Sequence, residues 1–406
     1  MTTRRLIRAL EPRTARSFAD MVAYIVWPLA VMVVIQRIWW SLADPTPGRF
    51  LALYDASFRF LNPHTTAAAS EALSPGAIIL TAPWAVLVPD QARWVELALS
   101  VLALLGAWAL LLRLLQVPIR SVLAPVFLLA GFYCGPVTDT LLTGDLGAFV
   151  LLALVAWLYL TVHGNQIAAG VTLGIVVALM PIFAPLLVVP LLQRRWRETV
   201  LAAVITGAAT ALVWIRLDGD GVGISALGGV DAADRSFFAL AEYLHFPAWL
   251  TVGVAVVIAV GATAAVTLAY TRQRHNEVLF VLTASGVLVL ACCLLAPESH
   301  GNSSIALLPL VGSVVLVGSV VRVWPAWLAI YGFGSDENWY SPHLGGLGAH
   351  IEALRVPAGW LLLLATICAV LTAAAARAGS GVGVGERQSR HEAPGTELVA
   401  KVGLVK

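Results

Sequence analysis

WLTVGVAVVIAVGATAAVTLAY, residues 249–270, is a long apolar stretch without a charged side chain. A helix of about 20 such residues covers the ~30 Å hydrocarbon core of a bilayer. Comparable stretches occupy residues 21–42, 94–112 and 356–376. Their length and their lack of polar alternation exclude membrane strands. The sequence therefore predicts an all-α polytopic membrane protein with about a dozen transmembrane or partly spanning helices.

The composition agrees with a membrane protein. Hydrophobic residues make up 59% of the chain, charged residues 12%, and the mean hydropathy is +0.86. A soluble domain carries roughly twice that share of charge. The four cysteines have no spacing typical of metal ligands or disulfides, and no basic groove is interleaved with aromatic residues. We expect no cofactor, no bound metal and no nucleic-acid partner; oligomeric state has no signature here.

Charge segregation predicts the orientation, because Arg and Lys flanking short loops stay on the cytoplasmic side. The N-terminal segment holds Arg4, Arg5, Arg8, Arg13 and Arg16, and arginine-rich gaps recur along the chain. The alternating gaps hold Asp44, Asp55, Asp139, Asp145, Asp218, Asp220, Asp231, Asp234, Glu298, Asp336, Glu337 and Glu352. We expect a multi-pass cell-membrane protein with a cytoplasmic N-terminus and its active face outside.

The same pattern divides the chain into three parts. Residues 1–20 are predicted to be cytoplasmic, residues 21–378 to form the transmembrane domain, and residues 379–406 to be a flexible cytoplasmic tail. The predicted outer loops are 43–75, 135–146, 217–247, 297–303 and 334–355. The acidic and arginine-rich gaps alternate between the two sides of the membrane only under three conditions. Residues 76–89 must enter the membrane and return to the same side. Residues 167–192 must form two short half-crossings broken near Pro181, and residues 323–333 must cross as a short segment.

Short, proline-broken segments indicate a cavity. Pro181, Pro185 and Pro190 fall in one apolar stretch, and each removes a helical hydrogen bond. Backbone groups freed at membrane depth are tolerated only against protein or water. An ordinary kinked helix is the alternative.

The first outer loop combines charges with an apolar stripe. Phe50, Leu53, Tyr54 and Leu61 recur at helical spacing, which predicts an amphipathic helix on the membrane surface or, alternatively, a helix that caps the domain.

The other outer loops carry further polar candidates for an acceptor site: Asp139, Asp145, Glu298 and His300. Aspartate near a helix N-terminus is also a common cap, which is the favoured interpretation for Asp145. The segment 218–221 resembles part of a calcium loop, but it lacks the remaining ligands and is interpreted as a polar turn.

Several segments resemble one family of membrane enzymes. The segment VRVWPAWLAIYGF, residues 321–333, is similar to a segment of the actinobacterial arabinofuranosyltransferases, GT-C type enzymes of glycosyltransferase family 87. Further matching segments are 74–84, 138–142, 187–197 and 284–286. The resemblance covers nearly the whole chain except the tail.

The resemblance implies a GT-C-like fold. It also implies transfer of arabinofuranose from a polyprenyl-phosphate donor to a cell-wall glycan acceptor, an arabinan or a lipoglycan. The transfer takes place on the outer side of the cytoplasmic membrane, in contact with membrane lipid. The resemblance further implies a carboxylate general base in the first outer loop and basic groups that stabilise the leaving phosphate. Gly48 and Arg49 stand where the family carries an acidic pair, Met180 replaces a lysine, and residues 144–147 keep only the first glycine of a polar motif.

The candidate roles follow from these departures. Asp55, next to the retained Tyr54, is the first choice as base, and Asp44 is the second. Arg49, Arg59, Arg235 and Tyr54 are the candidates for donor and phosphate binding. An inactive paralogue that binds lipid or scaffolds other cell-wall glycosyltransferases is the alternative function. A transporter ranks last, because no inverted repeat is visible.

Overall fold

The computed structural model describes residues 3–43, 48–63, 73–217, 236–296, 301–336, 339, 343 and 346–389, with side chains given from Met21 to Arg377. Within these residues the chain is helical and has no strand. The predicted all-α polytopic membrane fold is confirmed.

The helices of the first half are α1 (Thr3–Ser41), α2 (Gly48–Leu61), α3 (Pro75–Thr81), α4 (Pro89–Leu114), α5 (Leu123–Tyr133), α6 (Gly135–Thr143), α7 (Gly147–Val162) and α8 (Gln166–Leu179). Those of the second half are α9 (Val188–Leu192), α10 (Trp196–Arg216), α11 (Phe237–Tyr243), α12 (Ala248–Gln273), α13 (Glu277–Leu295), α14 (Leu308–Gly312), α15 (Trp324–Gly334) and α16 (Gly346–Ser389). Three 3₁₀ segments, η1 (Pro181–Leu187), η2 (Gly301–Leu307) and η3 (Ser313–Val315), lie between them.

Six described helices are long and apolar enough to cross a membrane, namely α1, α4, α10, α12, α13 and α16. A seventh candidate is the pair α5 and α6, which is bent by 56° at its junction. Four shorter apolar helices, Gly147–Val162, Gln166–Leu179, Pro181–Leu192 and Asn302–Val315, complete the set. The mixture of full and partial spans agrees with the predicted dozen segments.

The core surrounds α13. In the most apolar stretch of α13, 89% of the residues are buried, against 11% in α1. The helices at the periphery of the bundle leave large apolar side chains exposed. Val257 in α12, for example, is 69% exposed. A surface of this kind requires hydrocarbon around it, because in water it would be an aggregation liability.

Two glycines allow α8 and α10 to approach closely. A Cβ at Gly170 would lie 2.8 Å from the carbonyl oxygen of Glu198, and one at Gly174 would lie 2.8 Å from Cβ of Ile205. The Thr206 hydroxyl also donates to the Gly174 carbonyl at 3.2 Å. Small residues four apart are a common means of packing membrane helices.

The predicted break near Pro181 is confirmed, since α8 ends at Leu179 and η1 begins at Pro181. A break leaves carbonyls without helical partners. The Ser74 hydroxyl donates to the Leu179 carbonyl at 2.6 Å, and the backbone of α3 packs against residue 178 through Gly76. Here α3, a short helix before the turn into α4, satisfies the freed backbone with protein.

The predicted amphipathic helix of the first outer loop is α2. Its buried face holds Phe50, Leu53, Ala56 and Ser57, and it packs on α3, α4 and α6. The C-terminal boundary differs from expectation, because α16 continues to Ser389, past the predicted start of the tail at 379. The flexible cytoplasmic tail from residue 379 stays a prediction. Residues 390–406 of that tail lie outside the described residues.

Candidate functional site

A polar cluster joins three segments that are distant in sequence. Nη1 of Arg49, in α2, lies 2.9 Å from Oδ2 of Asp145, which follows α6. The side-chain amide of Asn302, in η2, donates to the same oxygen. The other oxygen, Oδ1, accepts the N–H of Leu146 at 2.6 Å. This contact is not a helix cap, because Leu146 is the N-cap of α7 and α7 has no side-chain cap. Asp145 instead holds α2 and η2 together.

The backbone at Gly144 determines where Asp145 lies. Gly144 has φ +70° and ends α6 in the left-handed conformation, which glycine adopts without steric cost. A Cβ at this position would lie 2.8 Å from Cβ of Phe50 and 3.0 Å from Nη1 of Arg93. The turn therefore needs glycine for its φ and for its space, and this accounts physically for the retained first glycine of the motif at residues 144–147.

A buried ion pair lies beneath this turn. Arg93 and Glu96, both in α4, pair with each other and are almost fully buried. Nη2 of Arg93 donates to the Leu141 carbonyl at 2.5 Å, and the Ser100 hydroxyl donates to Glu96 at 2.7 Å. Arg93 thereby binds a carbonyl at the C-terminal end of α6, where helix carbonyls lack intrahelical partners. It fixes the turn that carries Asp145.

This pair is not among the residues predicted from the sequence. Two opposite charges three residues apart inside an apolar span are nonetheless a usable signal, because charged residues within membrane segments are rare and face the protein interior. Asn302 was not predicted as a site residue either, and its only sequence signal was its place in the predicted outer loop 297–303.

Tyr54, a predicted phosphate-binding residue, contacts the turn before α4, and its binding role stays a prediction. Its hydroxyl donates to the Leu87 carbonyl at 2.6 Å. Its ring lies between Phe50 and Phe58, with centroid distances of 6.1 and 6.5 Å. The hydroxyl is therefore engaged by the turn before α4, and the ring is part of the packing of α2.

Asp55 is exposed and has no polar partner among the residues that the structure describes. It lies six residues beyond Arg49, which corresponds to about 9 Å along a helix. Arg59 is half-buried near the end of α2, and Asp139 is exposed on α6. Asp44, Arg235, Glu298 and His300 lie outside the described residues, so their roles stay predictions. Among the residues that the structure describes, no three His, Cys, Asp or Glu side chains are grouped as metal ligands.

Comparison with known proteins gives a consistent result. A family profile described as Glycosyltransferase family 87 matches residues 74–297. The α-(1→3)-arabinofuranosyltransferase of Mycolicibacterium smegmatis is 31% identical over 91% of this chain and 90% of its own length. The enzyme of the same name from Mycobacterium tuberculosis H37Rv is 31% identical over 90% and 89%, and that from Corynebacterium glutamicum is 27% identical over 88% and 89%. No solved structure matches the chain significantly.

Proposed function

The chain belongs to glycosyltransferase family 87, and on that premise we propose that it transfers arabinofuranose from a polyprenyl-phosphate donor to a cell-wall glycan on the outer side of the cytoplasmic membrane. The sugar and the α-(1→3) linkage are taken from the names of the relatives, which match about nine-tenths of the chain. The membrane fold supports a lipid-linked donor, because the hydrocarbon chain of such a donor lies in a bilayer.

The contact between Arg49 and Asp145 is the observation that carries the proposal. A guanidinium has five N–H donors, and the contact with Asp145 at 2.9 Å engages one nitrogen. The remaining donors match the oxygens of a phosphate. The Arg49 side chain is 33% exposed, so a headgroup can reach it. Asp145 positions Arg49, and Arg49 binds the donor phosphate.

The reaction is a displacement at the anomeric carbon. An acceptor hydroxyl oxygen forms the new bond to that carbon, and the bond from the carbon to the phosphate oxygen breaks. The electron pair of the broken bond leaves with the polyprenyl phosphate, whose added charge Arg49 stabilises. The hydroxyl proton passes to a carboxylate acting as general base.

Asp55 is the proposed base, and Asp44 is the second candidate. The oxygens of Asp145 already accept hydrogen bonds from three groups, whereas Asp55 is exposed. Arg49 and Asp55 are separated by about 9 Å along the axis of α2 and by about 120° around it. We assign Arg59 and Arg235 to further phosphate contacts, and Asp139, Glu298 and His300 to the acceptor side.

A reconstituted turnover assay tests the proposal. The purified protein in proteoliposomes would receive polyprenyl-phosphoryl arabinofuranose and a short arabinan, and the linkage of the product would be determined by NMR. An α-(1→3)-linked arabinofuranosyl product is expected. If the protein forms product only with a different lipid-linked sugar, the arabinose assignment is rejected and the glycosyltransferase activity is retained.

A second candidate function is supported by the exposed position of Asp55, which no described polar group orients. In this alternative the chain binds the lipid donor or scaffolds other cell-wall glycosyltransferases without catalysis. Binding of polyprenyl phosphate without turnover of any lipid-linked sugar would favour it.

A further inference from the structure

A cavity of about 600 Å³ lies between α5 and α15, away from the polar cluster. We call it the α5–α15 slot. One wall is formed by α5, including Phe127 and Gly131, and the other by α15, including Trp327 and Tyr331. Its floor is formed by α4 and α7, for example at Leu151. The volume falls in the range of about 300–1,000 Å³ that is typical of ligand sites.

The lining of the slot is suited to hydrocarbon. Its side chains are apolar or aromatic nearly throughout, and the polar lining residues Ser335 and Asp336 lie beyond the end of α15. The side chains at its rim are exposed, with Tyr133 at 60% and Tyr331 at 54%. The slot therefore opens sideways, toward the apolar surface that faces lipid.

The short length of its two wall helices explains the opening. Each of α5 and α15 has 11 residues. A helix of that length rises about 16 Å, roughly half of the hydrocarbon thickness. Where full spans are missing, a gap is left between the neighbouring helices. Unless an apolar group fills this gap, the side chains that line it lose packing contacts.

The polar end of the slot carries a partly buried ion pair. Nη1 of Arg37 lies 2.6 Å from Oδ2 of Asp336, and the Arg37 guanidinium lies 5.0 Å and 5.5 Å from the rings of Trp40 and Tyr133. The Arg37 side chain is only 6% exposed, against 33% for Arg49, so a headgroup reaches Arg49 and not Arg37. The slot is suited to a chain rather than to a phosphate.

Helix α6 connects the slot with the polar cluster. Val137, in the first turn of α6, lines the slot, and Asp145 follows the end of the same helix. Eight residues separate them, which is about 12 Å of helix. A lipid phosphate at Arg49 therefore lies about one short helix away from the nearest part of the slot.

We propose that the α5–α15 slot binds the isoprenoid chain of the lipid-linked donor, while its phosphate lies at Arg49 at the other end of α6. This inference rests on the proposed function, because the donor is the lipid that the reaction requires at Arg49. It assigns the slot to one substrate. Ordinary phospholipid acyl chains are the competing occupant that the experiment must exclude.

Gly131 gives a direct test, because an ideal Cβ there meets no atom within 4 Å and the residue lines the slot. Gly131→Phe fills the slot without forcing the backbone. The matched control is Gly253→Phe in α12, an exposed glycine whose Cβ would also meet nothing within 4 Å. Both variants would be compared with wild type in nanodiscs of defined phospholipid.

The donors would be decaprenyl-phosphoryl and geranyl-phosphoryl arabinofuranose, since the geranyl chain is too short to run along α6 into the slot. We expect Gly131→Phe to raise KM for the decaprenyl donor by about tenfold or more, a change of about 1.4 kcal/mol. Turnover of the geranyl donor is expected to stay at the wild-type level, which also shows that the variant is folded. Gly253→Phe should behave as wild type with both donors.

Three outcomes would overturn the inference: an unchanged decaprenyl KM, equal loss for both donors, or loss in the Gly253→Phe control as well. Binding of decaprenyl phosphate alone, measured by native mass spectrometry, separates this inference from the proposed function. Wild-type binding that Gly131→Phe weakens supports the slot even without turnover. Displacement of decaprenyl phosphate by equimolar phospholipid would assign the slot to ordinary lipid and reject the proposal.

Discussion

Arg49 and Asp145 are 96 residues apart in the chain, yet their side chains are in contact at 2.9 Å. The residue that replaces an expected acid in the first outer loop is thus a cation, and its partner is a carboxylate on the turn after α6. The pair places a guanidinium and a carboxylate side by side at the start of α2. Its behaviour under mutation separates a binding role from a purely structural one.

Arg49→Ala is expected to weaken binding of polyprenyl phosphate by about 10- to 100-fold, because a hydrogen bond to a charged group contributes roughly 1.5–3 kcal/mol. The affinity should also become less dependent on salt, because one charge pair is lost. Titration of the phosphate lipid at two salt concentrations measures both effects. Arg216→Ala, an exposed arginine at the end of α10, is the matched control. Equal losses in the two variants would contradict a specific site.

Asp145→Asn should act through Arg49. If Asp145 positions the guanidinium, Asp145→Asn lowers donor affinity in wild type but has little further effect in the Arg49→Ala background. A double-mutant cycle measures this coupling, and residues in contact usually show 0.5–3 kcal/mol, that is, about twofold to more than 100-fold. Additive losses would mean that the two residues act independently.

Asp55→Asn is expected to reduce turnover by about 10²- to 10⁴-fold, the usual contribution of a general base, while donor binding stays nearly unchanged. Asp90→Asn, at an exposed acid in the first turn of α4 that has no assigned role, gives the comparison. Full turnover in Asp55→Asn together with a large loss in Asp44→Asn would move the base to Asp44. Full turnover in both would exclude both residues and direct attention to Glu298.

The fold was predictable from the sequence because it depends on long apolar runs, and the break at Pro181 was predictable because proline removes a helical hydrogen bond. The ion pair between Arg49 and Asp145 was not predictable, since no local pattern relates residues 96 positions apart. Tyr54 shows the limit of proximity arguments. It is beside Asp55 in sequence, yet successive helical residues point in different directions, and its hydroxyl donates to the Leu87 carbonyl.

Topology is a further prediction, which follows from the arginine and aspartate segregation. A cysteine at Asn62, exposed at the end of α2, should react with an impermeant thiol reagent added to intact cells. A cysteine at His163, exposed between α7 and α8, should react only after the membrane is permeabilised. Of the native cysteines, Cys292 and Cys293 are buried, whereas Cys134 and Cys368 are half-buried and would be replaced by Ala in both variants. Labelling of the His163 variant in intact cells would invert the proposed orientation.

Gly144→Ala tests whether the turn after α6 positions the site. Gly164 is the matched control, because both glycines have left-handed backbones, with φ of +70° and +76°, but a Cβ at Gly164 meets nothing within 4 Å. Gly164→Ala should therefore cost only the left-handed strain, about 1–2 kcal/mol. Gly144→Ala adds a clash with Phe50 and Arg93, so its thermal midpoint should fall further, and it should also weaken phosphate-lipid binding by displacing Asp145 from Arg49. Equal midpoints and unchanged binding in the two variants would show that α2 can shift away from the turn, and Asp145 would then lose its assigned role in positioning Arg49.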